Sequence, residues 1–138
     1  MRFLGRCALA VLVFAIVLSL FSCEKEKKGK LEITEQEFAL RQDSESSFTI
    51  DARGIIKNVG EVDVKNVEVT GRCKSCSTIF MVGQWFVSPD VKKLSNQKDV
   101  ISYIAIGAEE SFQFEEVTSM MLKAGQGTPE LPEGLEVV

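Results

Sequence analysis

The stretch Phe48-Thr49-Ile50-Asp51-Ala52-Arg53-Gly54-Ile55-Ile56-Lys57 decides the fold. Phe48, Ile50, Ala52, Gly54 and Ile56 fall on one face, and Thr49, Asp51, Arg53 and Lys57 on the other. That period of two belongs to a strand half-buried in an antiparallel sheet. On its C-terminal side Asn58-Val59-Gly60-Glu61 reads as a turn, its Asn and Gly suited to positive φ. The following strand, Val62 to Cys73, sets Val67, Val69 and Gly71 against Glu68, Thr70 and Arg72. On the N-terminal side the polar Asp43-Ser44-Glu45-Ser46-Ser47 separates it from Leu31–Thr34 and Phe38–Leu40, one strand or two. Farther along, Thr78 to Val87 forms an apolar group containing Phe80, Met81, Val82, Trp85 and Phe86, interrupted by Gly83-Gln84 and closed by Pro89. Asp99 to Ile106 is strongly β-prone, Phe112, Phe114 and Val117 alternate with Gln113 and Glu115-Glu116, and Gly134 to Val138 can close a sheet. Met120 to Glu133, rich in Gly and Pro, has no clear assignment. About seven strands at this spacing, with no long stretch of period 3.6, predict an all-β chain: an immunoglobulin-like two-sheet antiparallel β-sandwich.

Upstream of the sandwich lies a segment of different character. Cys7 to Phe21 is an apolar and small-residue run that, as a helix, reaches only about 22 Å, short of the roughly 30 Å of a bilayer core. With Arg2 and Arg6 before it and Ser22 after it, the run reads as the helix of a signal peptide rather than a membrane span. Leu20-Phe21-Ser22-Cys23 resembles the lipobox of bacterial lipoproteins. The resemblance implies cleavage before Cys23 and a diacylglyceryl group on its thiol, so that the membrane itself is a partner through that lipid. Two or three acyl chains hold a protein on a bilayer where one gives only marginal binding. Glu24-Lys25-Glu26-Lys27-Lys28-Gly29-Lys30 has nothing apolar to bury and is expected to be a solvated spacer. The chain therefore divides into a signal peptide (1–22), a lipidated cysteine with a charged tether (23–30) and a sandwich domain (31–138). The location implied is extracytoplasmic, on the cell membrane or the outer membrane.

Of 138 residues, cleavage leaves 116, enough for one modest domain. Sixteen basic groups less Arg2 and Arg6 leave 14 against 20 acidic ones, a balance that argues against nucleic acid as a partner. The absence of histidine removes the commonest general base and the commonest metal ligand together.

Ile55-Ile56-Lys57-Asn58-Val59-Gly60-Glu61-Val62-Asp63-Val64-Lys65-Asn66-Val67-Glu68-Val69 is similar to the core of small extracytoplasmic β-sandwich modules such as FxLYD-type and CARDB-like domains. In those modules the Asn-x-Gly makes a hairpin turn and the flanking valines fill the space between sheets. Ile106-Gly107-Ala108-Glu109-Glu110-Ser111-Phe112 is similar to a second turn that opens a further strand. The resemblance implies a fold and a location, with no catalytic residues and no cofactor.

Cys73-Lys74-Ser75-Cys76 carries the only obvious chemical potential, and three readings compete. Residues i and i+3 of a turn lie close enough for a disulfide, which an oxidising compartment would form and which would staple a turn at about 2 kcal/mol. A thioredoxin-like redox site would need the first cysteine at a helix N-terminus, though Lys74 and Arg72 favour a thiolate. A metal site would need ligands beyond this pair. Glu109-Glu110 and Glu115-Glu116 are expected to be solvent-facing strand and turn ends, since acid–base work requires a buried carboxyl. Trp85, if outward, is the best single residue for touching a partner, expected to be an envelope protein or a cell-surface molecule. The function expected is non-catalytic binding or scaffolding at the envelope, with a membrane-tethered thiol–disulfide oxidoreductase using Cys73 and Cys76 as the alternative.

Overall fold

The computed structural model describes residues 26–89 and 92–138. The expected signal segment and the expected lipidation site Cys23 lie outside the described residues. Among the described residues seven strands follow one another: β1 (Leu31–Ser44), β2 (Ser47–Asn58), β3 (Val64–Cys73), β4 (Trp85–Phe86), β5 (Lys98–Ile104), β6 (Glu109–Met121) and β7 (Leu135–Val137). A single 3₁₀ turn, Ser95–Gln97, precedes β5. The strands form two antiparallel sheets in the orders β1-β2-β6-β4 and β5-β3-β7. The all-β two-sheet sandwich is thus the observed fold.

Its core comes from the alternation read in β2, β3 and β6. Ile50, Ala52 and Ile56 of β2, Val67 and Val69 of β3, and Phe112, Phe114 and Val117 of β6 meet between the sheets, joined by Ile104 and Val137. Phe112 and Phe114 stack with centroids 5.9 Å apart. Gly71 faces inward, where a Cβ would lie 2.6 Å from Val117, so its missing side chain lets β6 approach β3 across the core.

Of the two alternatives for the first apolar groups, one strand is observed, and several other local expectations need correction. The first two apolar groups form one 14-residue strand, with a register irregularity between Ile33 and Glu35 that keeps Leu31, Ile33, Phe38 and Leu40 turned to the core. The Asn58–Glu61 segment does not make a hairpin, because β2 and β3 belong to opposite sheets and the chain crosses between them there. Neither Asn58 nor Gly60 has positive φ. Gly60 is needed for close approach instead: a Cβ would stand 2.3 Å from the Lys30 nitrogen. The tether is not a free spacer over its last residues, since Lys28 and Lys30 accept backbone hydrogen bonds from Glu61 and Val59 (3.1 and 2.8 Å). Finally, Thr78 to Val87 yields only the two-residue β4; Ile79 to Val82 lies in an exposed loop.

One end and the middle of the sandwich are each shaped by an identifiable residue. At the tether end, fully buried Asn58 donates through Nδ2 to the carbonyls of Val62 and Ile104, accepts from the Gly60 amide at Oδ1, and exchanges backbone bonds with Gly107 and Ala108. Every polar atom of this residue is therefore satisfied, which burial demands. In the middle, β6 carries two extra residues where Ile50 pairs Thr118 and Ala52 pairs Phe114. Glu116, at φ 55°, forms that bulge, and its amide donates to Asp51, whose carboxylate also holds Arg41 (2.6 Å).

Candidate functional site

The end away from the tether gathers the residues with chemical or binding potential. β3 delivers Cys73 there, β6 delivers Met121, and the loop between β3 and β4 lies between them. The 12 residues of β2 place this end about 36 Å from the tether end.

Cys73 and Cys76 lie with their sulfurs at disulfide-bonding distance (2.04 Å) and their Cα atoms 5.5 Å apart. Cys73 is buried at the end of β3 and Cys76 half-buried, in a segment that leaves a strand rather than entering a helix. The two cations that favour a thiolate on sequence grounds are both engaged elsewhere: Glu136 of β7 binds Lys74 Nζ (2.6 Å) and Arg72. Those contacts pull the Glu136 carboxyl below its usual range, the hydrogen bond from Lys74 first and that from Arg72 second. A carboxylate depressed in the fold stabilises it above its unfolded value and loses that contribution as pH falls through the folded value. Acidification below the ordinary carboxylate range is therefore expected to loosen the β3–β7 pairing ahead of the core strand β2. Amide exchange at Thr70 and Val138, which bond each other across that pair, should accelerate before the core amides of β2. Unchanged relative protection down to pH 3 would contradict this.

Because the disulfide closes so short a loop, its loss should cost only about 2 kcal/mol. Cys76→Ser is expected to keep the fold and lower the melting midpoint modestly. Thiol titration of the unreduced, denatured chain should find neither Cys73 nor Cys76 free.

Beyond the disulfide the chain turns through Ser77 and runs out into Ile79-Phe80-Met81-Val82, four successive apolar residues that are all exposed, Ile79 at 71 %. The loop is anchored rather than loose. Gln84 donates to the Met81 carbonyl (3.1 Å), Gly83, at φ 83°, donates to the carbonyl of Met121 (2.6 Å), and Phe80 meets Phe86 edge-on at 4.7 Å. Met121, itself exposed, extends the apolar surface. Behind the loop a cleft of about 330 Å³ runs between Ser75, Ser77, Gln84, Trp85, Met120 and Pro132.

Trp85 is half-buried rather than fully outward: its ring packs on the core while its indole N–H donates to the Glu130 carbonyl (3.1 Å). It lines the cleft, and the residues farthest out are Ile79 to Val82. The sequence signal for them was present, a run of four apolar residues ended by Gly83-Gln84, but an apolar run of that length reads equally well as a buried strand.

A second depression, about 540 Å³, lies over Glu35, Glu37, Arg53, Ile55, Ser111 and Gln113, aligned in register across β1, β2 and β6. The exposed Arg53–Glu37 ion pair (2.8 Å) crosses it. Among the acidic pairs, exposed Glu109 is paired with Lys57 (3.0 Å), and Glu116 accepts from Asn96 (3.2 Å) and Gln97. Among the described residues no three His, Cys, Asp or Glu converge as a metal site, and no helix is long and apolar enough to cross a membrane.

Comparison with known families, with characterised proteins and with solved structures finds no match to this chain.

Proposed function

We propose that this chain is a bacterial lipoprotein, anchored through Cys23, whose sandwich is a non-catalytic binding module of the cell envelope that engages its partner with the apolar loop Ile79–Val82. The observation that carries the reading is the position of that loop: the exposed apolar run sits at the end opposite the tether, where a protein held at a membrane meets other molecules. Successive exposed aliphatic and aromatic side chains are unfavourable in water and mark contact sites when they cluster. Hydrogen bonds on both flanks hold the loop in shape, which lowers the ordering cost of binding. A binding role is further supported by the disulfide, which braces the foot of the loop with Cys73 buried and its neighbouring cations committed to Glu136. The partner's complementary chemistry is an apolar protein pocket.

A photo-crosslinking residue at Phe80, in cells, is expected to yield a discrete protein adduct that is lost on Ile79→Asp, whereas the same probe at Glu32 yields none. Equal adducts from both positions, or none from either, would contradict the loop as the contact.

A further inference from the structure

The tether end has a surface of its own. Two tips project there: Val59-Gly60-Glu61 between β2 and β3, and Ala105-Ile106-Gly107 between β5 and β6. Val59 and Ile106 are exposed, Ile106 at 56 %. These tips form one rigid body, because buried Asn58 is bonded to both of them, and Asp63 ties the Ile106 amide (3.0 Å) and the Tyr103 hydroxyl (2.6 Å). The tether is part of the same body, since the carbonyls of Lys28 and Lys30 accept from Glu61 and Val59.

Five residue steps separate Cys23 from Lys28, so even a fully extended chain spans only about 17 Å between them. An acyl anchor at Cys23 therefore confines the two tips to the neighbourhood of the lipid headgroups. Lys25, Lys27, Lys28 and Lys30 outnumber Glu24 and Glu26 in this stretch, but the tips add exposed Glu61 and Asp63, so four cations meet four carboxylates and the contact with the headgroup layer rests on the apolar side chains. We infer that Val59 and Ile106 form a second membrane contact, a rigid apolar platform that rests in the headgroup layer and stands the sandwich upright with Ile79–Val82 pointing away. The inference depends on the anchor at Cys23 and adds an orientation to it.

The test uses the full-length protein, processed in cells, purified and reconstituted in phosphatidylethanolamine–phosphatidylglycerol vesicles. Single-cysteine substitutions Ile106→Cys and Ile79→Cys carry an environment-sensitive fluorophore; both positions are exposed, so neither disturbs the core. With Cys73 and Cys76 disulfide-bonded and Cys23 acylated, the introduced thiol is the one labelled. The 106 probe is expected to shift to the blue and to be quenched by brominated lipid several times more strongly than the 79 probe. A palmitate-labelled protein whose 106 probe emits as in water overturns the platform and leaves the anchor standing, and so does stronger quenching at 79. A protein that incorporates no palmitate overturns both.

Discussion

Asn58→Ala is expected to destabilise the domain by about 3 kcal/mol, because it strips partners from three groups at once. The Val62 and Ile104 carbonyls lose their donor, and the Gly60 amide loses its acceptor. Each group so stranded away from water costs about 1–3 kcal/mol, reduced where the tips relax enough to admit solvent. For a domain of this size that loss is a fall in melting midpoint of about 12 °C or more. Asn58→Asp should be worse, since it sets a buried acceptor against two carbonyls. Thermal unfolding followed by circular dichroism checks both, and a midpoint within a few degrees of the parent for Asn58→Ala would show that the tips do not depend on this side chain.

Gly54→Ala is expected to be comparably damaging for a steric reason. A Cβ at this position would stand 2.0 Å from the Glu35 carbonyl oxygen and 2.6 Å from the Phe112 ring. The first obstacle is backbone of the neighbouring strand, at the irregularity where β1 shifts register between Ile33 and Glu35, so no rotamer change relieves it. Overpacking of this kind costs about 3 kcal/mol and would spread β1 from β2. Gly71→Ala is the informative comparison. Its Cβ would meet Val117 and Phe114 side chains, which can give way, so a smaller loss is expected. Equal effects at the two glycines would mean that β1 is free to move outward at the irregularity.

What could be read from the residues and what could not divide along physical lines. Alternation in Phe48–Lys57 and Val67–Arg72 identifies the core faces, because a strand with one wet face must segregate its side chains. The chain's all-β architecture follows from the same pattern repeated at short intervals. Which strands pair is another matter. Asn58-Val59-Gly60 is as compatible with a hairpin as with a crossing between sheets, and only the packing of Val64 to Cys73 against the far sheet decides it. Asn58 was legible as a turn residue but not as the hub of two loops, since its partner Ile104 lies 46 residues away. The bulge at Glu116 left no trace in composition, for a glutamate at positive φ has no sequence signature. Cys73 and Cys76 were legible as a short-range pair because three residues of separation already brings their Cα atoms within reach. The apolar loop was visible as apolar, whereas its exposure depends on the sheet being filled without it.

The proposed anchoring and the orientation of the sandwich both depend on Cys23. Intact-mass analysis of the protein purified from cell membranes tests that anchoring most directly. The predicted result is a chain that begins at Cys23, its mass raised by a diacylglyceryl group, with or without an amide-linked acyl chain. A mass that retains residues 1–22, or a chain with an unmodified Cys23 thiol, would contradict the anchor and with it the orientation of the apolar loop.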